Sequence, residues 1–413
     1  MRLSPFRVID APGSGEVPSP GRSRSVHHHP VRLALLVLAT LETVVITALP
    51  APANPDKPGV DGGIRTAAAQ LRGAGPPVDL IQDYIGARSL VGHGDPYEIL
   101  TQAYASVGIV WPAEHRSTHP PTAFVLTLPI AWLRWKIAAA VWAWLMLAAI
   151  AGAWWALGTR AELAAVLGPL TLLWPPAAWS MGQLTPLWLL GIALAWRWRK
   201  DPLRSGASIG VAALTKLLPA LSLGPFLLVR RWRTLSGYAA AFGFALVVVL
   251  ILRPGVVTRY LSLSRSVGRE QAARPENSAL LWAFDHRFGL AGTLAAAGLI
   301  ACVLGASVMR LRSREHLDAW SFWAWSWAGV ALLPIAWIYS LLPLVPALAY
   351  CLRRGGLVSR ALAAFAISVP FAVDPFGLPG GIRLAFATAS VGLSLLLVPY
   401  ATVSLAWSRA PGS

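Results

Sequence analysis

The sequence predicts an all-α, polytopic integral membrane protein with about ten to twelve membrane-embedded helical segments. Three observations carry this. Of the 413 residues, 56% are hydrophobic and only 13% charged, about half the charge with which soluble domains coat their surfaces. Apolar runs then recur from near residue 31 to near residue 403, separated by short polar breaks. Finally, the basic residues of a +17 chain sit in small clusters between those runs: Arg134 to Lys136, Arg197 to Lys200, Arg230 to Arg233, Arg310 to Arg314, and Arg353-Arg354. That is the pattern of cytoplasmic loops under the positive-inside rule. Charges so dispersed form no continuous basic face, which argues against a nucleic-acid partner. The 20 Trp fit interfacial belts at the edges of a bilayer.

Residues 1–31 are rich in Arg, Ser, Pro and His and read as a disordered cytoplasmic tail, with His27 to His29 an incidental run. The first apolar run, Val31 to Leu49, reads as a retained anchor, although the basic residues before it and Ala51-Pro52-Ala53 after it also suit a cleaved signal peptide. Residues 32–405 then form one multi-pass domain, and 406–413 a cytoplasmic tail. The stretch 51–118 holds many of the acidic residues and follows a helix entered from its basic side, so it is expected outside. Its first part reads as disordered, and its second part carries helical patterning from Val78 to Leu90, at the membrane surface. The following apolar runs are 121–133, 137–157, 162–178, 182–196, 206–229, 237–252, 289–309, 319–333, 335–350, 361–373 and 382–403. Several are too short for a full crossing, and prolines break others, as expected where helices line a cavity. The run 206–229 lies between two basic clusters and reads as a hairpin that does not cross, while the number of crossings in 121–197 stays open. Residues 253–288 are expected outside as a second loop, and both termini inside the cell. Cys302 and Cys351 read as small buried hydrophobes, and no internal repeat stands out.

Nothing matches a soluble catalytic motif, a nucleotide fold or a metal-ligand cluster, so neither cofactor nor metal is called for. The informative residues are polar groups at membrane boundaries, which are costly to keep and often functional. In the segment Asp83 to Tyr97, Asp83 has the chemistry of a general base, or of a helix N-cap; Asp79, one turn earlier, is its rival. His119 precedes Pro120-Pro121, which start a helix, and suits either phosphate binding or a structural place. Gln183 and Lys216 stand in apolar surroundings, where a lysine needs an anion or a route to the interface. The loop 253–288, with Arg274, Asn277 and several further arginines, suits an anion such as a lipid phosphate, or simple solvation. The turn with Trp337, Tyr339 and Ser340 separates two apolar runs.

In this order, Asp83 with Tyr97, Pro120-Pro121, Gly182-Gln183, Lys216 with Pro219, Asn277-Ser278, and Pro334 with Trp337 resemble the membrane glycosyltransferase family related to the polyprenyl-phosphate-mannose-dependent alpha-(1,2)-mannosyltransferases of actinobacteria. That family is of the GT-C class, and the resemblance covers about residues 80 to 400. It implies a plasma-membrane enzyme with its active site on the external face. The donor would be a polyprenyl monophosphate sugar, with mannose the sugar by resemblance. The acceptor would be a hydroxyl of a glycolipid or glycan, deprotonated by Asp83, with inversion at the anomeric carbon. Lys216 and arginines of 253–288 would neutralise the leaving phosphate, with His119, Gln183, Asn277, Arg274, Trp337 and Tyr339 as further substrate or phosphate ligands. Family members often carry an acidic residue and a His after the tryptophan of the Pro-x-x-Trp turn; here Ile338 and Tyr339 stand there, and His119 or His286 are candidates to substitute.

Two other classes compete. A transporter or lipid flippase predicts charged pairs at mid-membrane and inverted repeats. An inactive relative acting as a scaffold predicts that Asp83 is dispensable.

Overall fold

A computed structural model describes residues 78–92, 94–108, 116–158, 182–274, 277–312, 314, 316–368 and 380–407. The Val31 to Leu49 anchor, the N-terminal tail, residues 408–413 of the C-terminal tail, the first part of the external loop, His93 and the run 162–178 lie outside the described residues. The described residues contain α-helices, two 3-10 helices and no named strand. The all-α expectation holds.

The N-terminal group is α1 (Val78–Val91), α2 (Leu100–Ser106), α3 (Pro121–Ala131) and α4 (Trp135–Leu157). Pro120 caps α3 with extended backbone and Pro121 opens it, a position where a missing N–H costs nothing. Gly158 ends α4 in the left-handed region, φ 58°. Then come α5 (Thr185–Arg197), α6 (Pro202–Thr215), a 3-10 turn Leu218–Leu223, α7 (Gly224–Leu228) and α8 (Arg233–Leu252). Asp201 caps α6 by accepting from the Arg204 N–H at 3.2 Å. The C-terminal half holds α9 (Gly255–Ala272), α10 (Leu280–Arg312), α11 (Ala319–Ala331), a 3-10 turn Ile338–Leu344, α12 (Val345–Arg354), α13 (Leu357–Ser368) and α14 (Gly380–Trp407). Gly289 breaks the ideal course of α10 with φ 61° and ψ −151°, a conformation open essentially to glycine alone. The span proper therefore starts after Gly289, where the hydropathy places it.

Among the described residues, four helices are long and apolar enough to cross a membrane: α4, α8, α10, and α14 over Gly381–Pro399. Helices α3 and α13 and the pair 218–228 are apolar but shorter. Large apolar side chains face outward on the crossing helices, among them Phe244, Ile251 and Leu294, as lipid contact requires.

The segment 206–229 is a broken hairpin. The α6 helix stops at Lys216, which is extended (φ −155°, ψ 147°), and the chain returns through the 3-10 turn and α7. An Arg231 guanidinium N–H donates to the Arg199 carbonyl, so the two basic clusters flanking the hairpin meet. A second excursion is built alike: α11, a break, the turn Ile338–Leu344, then α12. Its flanking clusters also converge, since Tyr350 lies within electrostatic reach of Asp318, Arg310 and Arg354. Both returns begin alike, Lys216-Leu-Leu-Pro and Ser340-Leu-Leu-Pro, a local likeness not apparent in hydropathy. The arms touch midway, with the Ser222 and Ser326 hydroxyls 3.2 Å apart. Followed along the chain, α5, α7, α10 and α12 run toward basic clusters, and those four clusters share one end of the bundle while the breaks at Gln183, Lys216 and Trp337 share the other. The Arg134 to Lys136 cluster, expected with them, lies instead at the Gln183 end, because α4 runs parallel to α5: Trp142 near its start donates to the Gly182 carbonyl, and the Trp155 carbonyl near its end accepts from Arg197 at 3.3 Å.

Close approach of α6 and α8 depends on small residues. A Cβ on Gly206 would collide with the Thr234 carbonyl, and one on Gly237 with the Leu203 carbonyl. Gly206 and Gly210 form a Gly-x-x-x-Gly pair, which lets helix backbones touch where lipid gives no hydrophobic drive. Two expectations are corrected here. Trp142, Trp188, Trp320 and Trp327 are fully buried, not interfacial, because buried indole N–H groups find carbonyls: Trp327 donates to Thr388 at 2.8 Å and Trp142 to Gly182 at 2.8 Å. Trp132, Trp155 and Trp232, by contrast, are exposed at helix ends, as interfacial tryptophans should be. Cys302 is exposed on the apolar α10, whereas Cys351 is buried.

Candidate active site

The site is built around α1. Asp79 and Asp83 stand one turn apart, four residues, and so share a face. Asp83 is 0% exposed. It lies in the second turn of the helix, so it is not the N-cap; Asp79 is in the first turn. Gly86 lets α1 settle against α3, because a Cβ there would meet the Phe124 ring at 2.5 Å. The Thr127 hydroxyl of α3 donates to the Asp83 carbonyl at 2.9 Å and fixes the register.

His119 enters from the other side. Its Nδ1 lies 2.7 Å from Asp83 Oδ1, with both side chains buried. With the carboxylate oxygen as acceptor, the imidazole donates through Nδ1–H. The second oxygen, Asp83 Oδ2, is buried and has no hydrogen-bond partner among the described residues. The Tyr97 hydroxyl donates to the His119 carbonyl at 3.0 Å, so the tyrosine at the end of the Asp83 segment anchors the histidine backbone. Burial pushes that phenol above its ordinary value, so it stays a neutral donor.

Gly182, at φ 72°, turns the chain so that Gln183 points at α1 and its amide donates to Asp79. Burial pushes the Asp79 carboxyl up to about 6, while the Gln183 hydrogen bond and the charge of His119 pull it down. Asp83 and Lys216 are also within its electrostatic reach. Lys216, at the hairpin break, holds its ammonium 3.5 Å from Ser340 Oγ and 5.7 Å from the centre of the Tyr339 ring. Tyr339 in turn is in electrostatic reach of Asp79, Asp83 and Tyr104. Asp79, Asp83, His119, Gln183, Lys216 and Tyr339 therefore form one cluster, two carboxylates facing a lysine across a histidine and a glutamine.

Residues 118–333 match the sequence profile of glycosyltransferase family 87, just over half of the chain. The chain belongs to glycosyltransferase family 87. The family is of the GT-C type, so the protein is a membrane glycosyltransferase. No curated protein and no solved structure matches the chain. The matched span includes His119, Gln183 and Lys216 and stops short of Asp83 and Tyr339, which reach it through the contacts above.

Other residues of this family-87 glycosyltransferase take different places. Asn277 is a pin: its amide donates to the Ala272 and Pro334 carbonyls, both at 3.2 Å, and its Oδ1 accepts from Ala279 N–H (3.1 Å) and Ala336 N–H (3.0 Å). Ser278 Oγ donates to the Ala336 carbonyl at 2.8 Å. The Asn-Ser element thus holds the Pro334–Trp337 turn to the start of α10. The Trp337 N–H donates to Ser340 Oγ at 3.2 Å, so Trp337 acts on the site through Ser340. Arg274 forms an ion pair with Glu270 at 3.8 Å. Arg253, just before α9, donates to the Ser89 carbonyl in the last turn of α1, and Arg259 of α9 pairs with Asp95 in the loop after α1 at 3.3 Å. His286 is exposed and stacks on Trp282. Sequence reasoning names Ser340 only as part of the polar turn, and does not name Thr127. Their signal is a small hydroxyl in a wholly apolar run, which is weak because such residues also bond their own helix.

Proposed function

We propose that this glycosyltransferase moves a hexose, mannose by family resemblance, from a polyprenyl monophosphate sugar to a hydroxyl of a glycolipid or glycan, with Asp83 as general base. The observation that carries the reading is the asymmetric environment of Asp83. One oxygen is held by His119 and the other is unpartnered in a buried place. Such an oxygen suits a substrate hydroxyl. A base must lie within hydrogen-bond reach of the proton it takes.

The step balances as follows. The acceptor O–H proton passes to Asp83 Oδ2 while the acceptor oxygen bonds the anomeric carbon. The bond from that carbon to the phosphate oxygen breaks, and its electron pair leaves with polyprenyl phosphate. Attack from the face opposite the leaving group inverts the centre. The His119 N–H holds the carboxylate's orientation, and the Lys216 ammonium, near Ser340, counters charge on the leaving phosphate.

The external location is supported by the fold. Four of the five basic clusters lie at one end of the helices and the cluster around Asp83 at the other, with Arg134 to Lys136 alone on the site's side. Helix α6, 14 residues from Pro202 to Thr215, separates the two by about 21 Å. With the basic end in the cytoplasm, the site faces outward. In this reading residues 51–118 and 253–288 stay outside and both termini within the cell, as the charge pattern of the sequence has it.

The test is transfer from radiolabelled polyprenyl-phosphate mannose in membranes, comparing wild type, Asp83→Asn and Asp79→Asn at matched expression. Transfer by wild type and its near-complete loss in Asp83→Asn alone supports the base. Equal transfer in wild type and Asp83→Asn removes Asp83 from the mechanism, and loss in Asp79→Asn alone transfers the role to Asp79. No transfer from mannose, followed by transfer from another lipid-linked sugar, corrects the donor. No transfer from any favours the inactive scaffold.

A further inference from the structure

Helix α9 follows α8 with only Arg253 and Pro254 between. Its inward face is Val256, Tyr260, Leu263, Val267 and Gln271, and the Tyr260 ring lies 5.8 Å from that of Tyr97. The opposite face is Thr258, Leu261, Ser262, Arg265 and Arg269, all exposed and in helical register. The arginines of this region divide. Arg253, Arg259 and Arg274 each bond to protein. Arg265 and Arg269 have no hydrogen-bond or ion-pair partner among the described residues, and the one carboxylate on the helix, Glu270, pairs with Arg274.

The level of α9 relative to lipid follows from its neighbours. Ile251 and Leu252 are exposed at the last turn of α8, and Leu290 and Leu294 are exposed where the α10 span begins after Gly289. Apolar outward surface thus runs up to α8's junction with α9 and resumes at the start of the α10 span. A helix between two such junctions lies where hydrocarbon meets water. There Leu261, 62% exposed, meets the acyl boundary, and Arg265 and Arg269 on the same face meet phosphates.

We propose that α9 is an interfacial helix whose outward Arg265 and Arg269 bind the phosphate headgroups of anionic phospholipids in the leaflet where α8 ends. The arginines of the loop then have separate roles. Arg253 and Arg259 brace the end of α1 and the loop after it, and Arg265 and Arg269 hold bulk lipid. This lipid contact does not depend on the chemistry proposed for Asp83.

The test uses the full chain in nanodiscs of phosphatidylcholine, with or without phosphatidylglycerol. Cys302→Ser leaves only the buried Cys351, and Leu261→Cys carries an environment-sensitive fluorophore. The expected result is quenching by shallow spin-labelled lipid, little quenching by aqueous iodide, and about tenfold enrichment of phosphatidylglycerol over phosphatidylcholine among lipids retained in native mass spectrometry. Arg265→Gln with Arg269→Gln should bring that enrichment down toward parity. A fluorophore quenched by iodide and not by lipid overturns the proposal in favour of a solvated helix. One shielded from both overturns it in favour of a protein partner. Unchanged enrichment in the double variant removes the two arginines from lipid binding.

Discussion

His119 Nδ1 lies 2.7 Å from Asp83 Oδ1, joining residues 36 positions apart across the junction of α1 and α3. The pair unites two stretches that are each ambiguous alone. It also offers a physical answer to the absence of an acidic residue and a histidine after Trp337: a histidine is already at the carboxylate, supplied from before α3.

The pair has kinetic consequences. Asp83→Asn is expected to lower turnover by roughly 10³-fold, as loss of a base does. His119→Ala, which loosens the carboxylate without removing it, should cost about 10- to 100-fold. The double variant should be no slower than Asp83→Asn, because residues acting as a unit are not additive. Steady-state rates on one lipid-linked donor check this; additive losses would separate the two residues.

Asp79 predicts a pH effect on stability. Its carboxyl titrates near 3.8 in an open chain and near 6 in the fold. Between those values the folded protein holds the extra proton, so stability falls as pH rises through the window and the cost persists above it. Asp79→Asn keeps an acceptor for Gln183 and cannot ionise. It should gain on the order of 1–2 kcal/mol at pH 7.5, allowing for the group's partial exposure, and nothing near pH 3.5. Thermal unfolding in detergent at the two pH values measures the difference.

The α6–α8 contact predicts which glycines matter. Gly206→Val or Gly237→Val forces backbones apart and should cost about 3 kcal/mol or more, seen as lost folded protein on detergent extraction. Gly243→Ala and Gly298→Ala, where a Cβ meets nothing within 4 Å, should be tolerated.

Orientation is open to cysteine labelling in a Cys302→Ser background. Gln102→Cys should react with a membrane-impermeant maleimide in intact cells. Lys200→Cys and Arg354→Cys should react only after permeabilisation. The reverse pattern would place the Asp83 cluster on the cytoplasmic side.

Much of this was legible in sequence. The grouping of His119, Gln183 and Lys216 with Asp83 rests on the family resemblance, whereas the helix at Val78–Val91 and the hairpin at 206–229 follow from hydropathy, proline and charge placement. The facing of each helix did not. Where a helix is apolar all round, periodicity cannot say which side meets protein and which meets lipid. That is why Trp188 and Trp327 proved to be core, Cys302 outward, and the arginines of α9 divided between bracing and outward positions. Asn277 read as a ligand because its type suits one, while two of its four backbone hydrogen bonds depend on a turn 57 or more residues away.

The contact between Lys216 and Ser340 spans 124 residues. At synthesis rates of roughly 5–20 residues per second, the ribosome needs roughly 6 to 25 s to reach the second residue after making the first. Throughout that interval the nascent chain carries a re-entrant tip whose ammonium has neither the hydroxyl nor the aromatic ring that later covers it. The contact between the two arms therefore forms late in synthesis, after the carboxylate of Asp79, which is also within electrostatic reach of the Lys216 ammonium, is already in place.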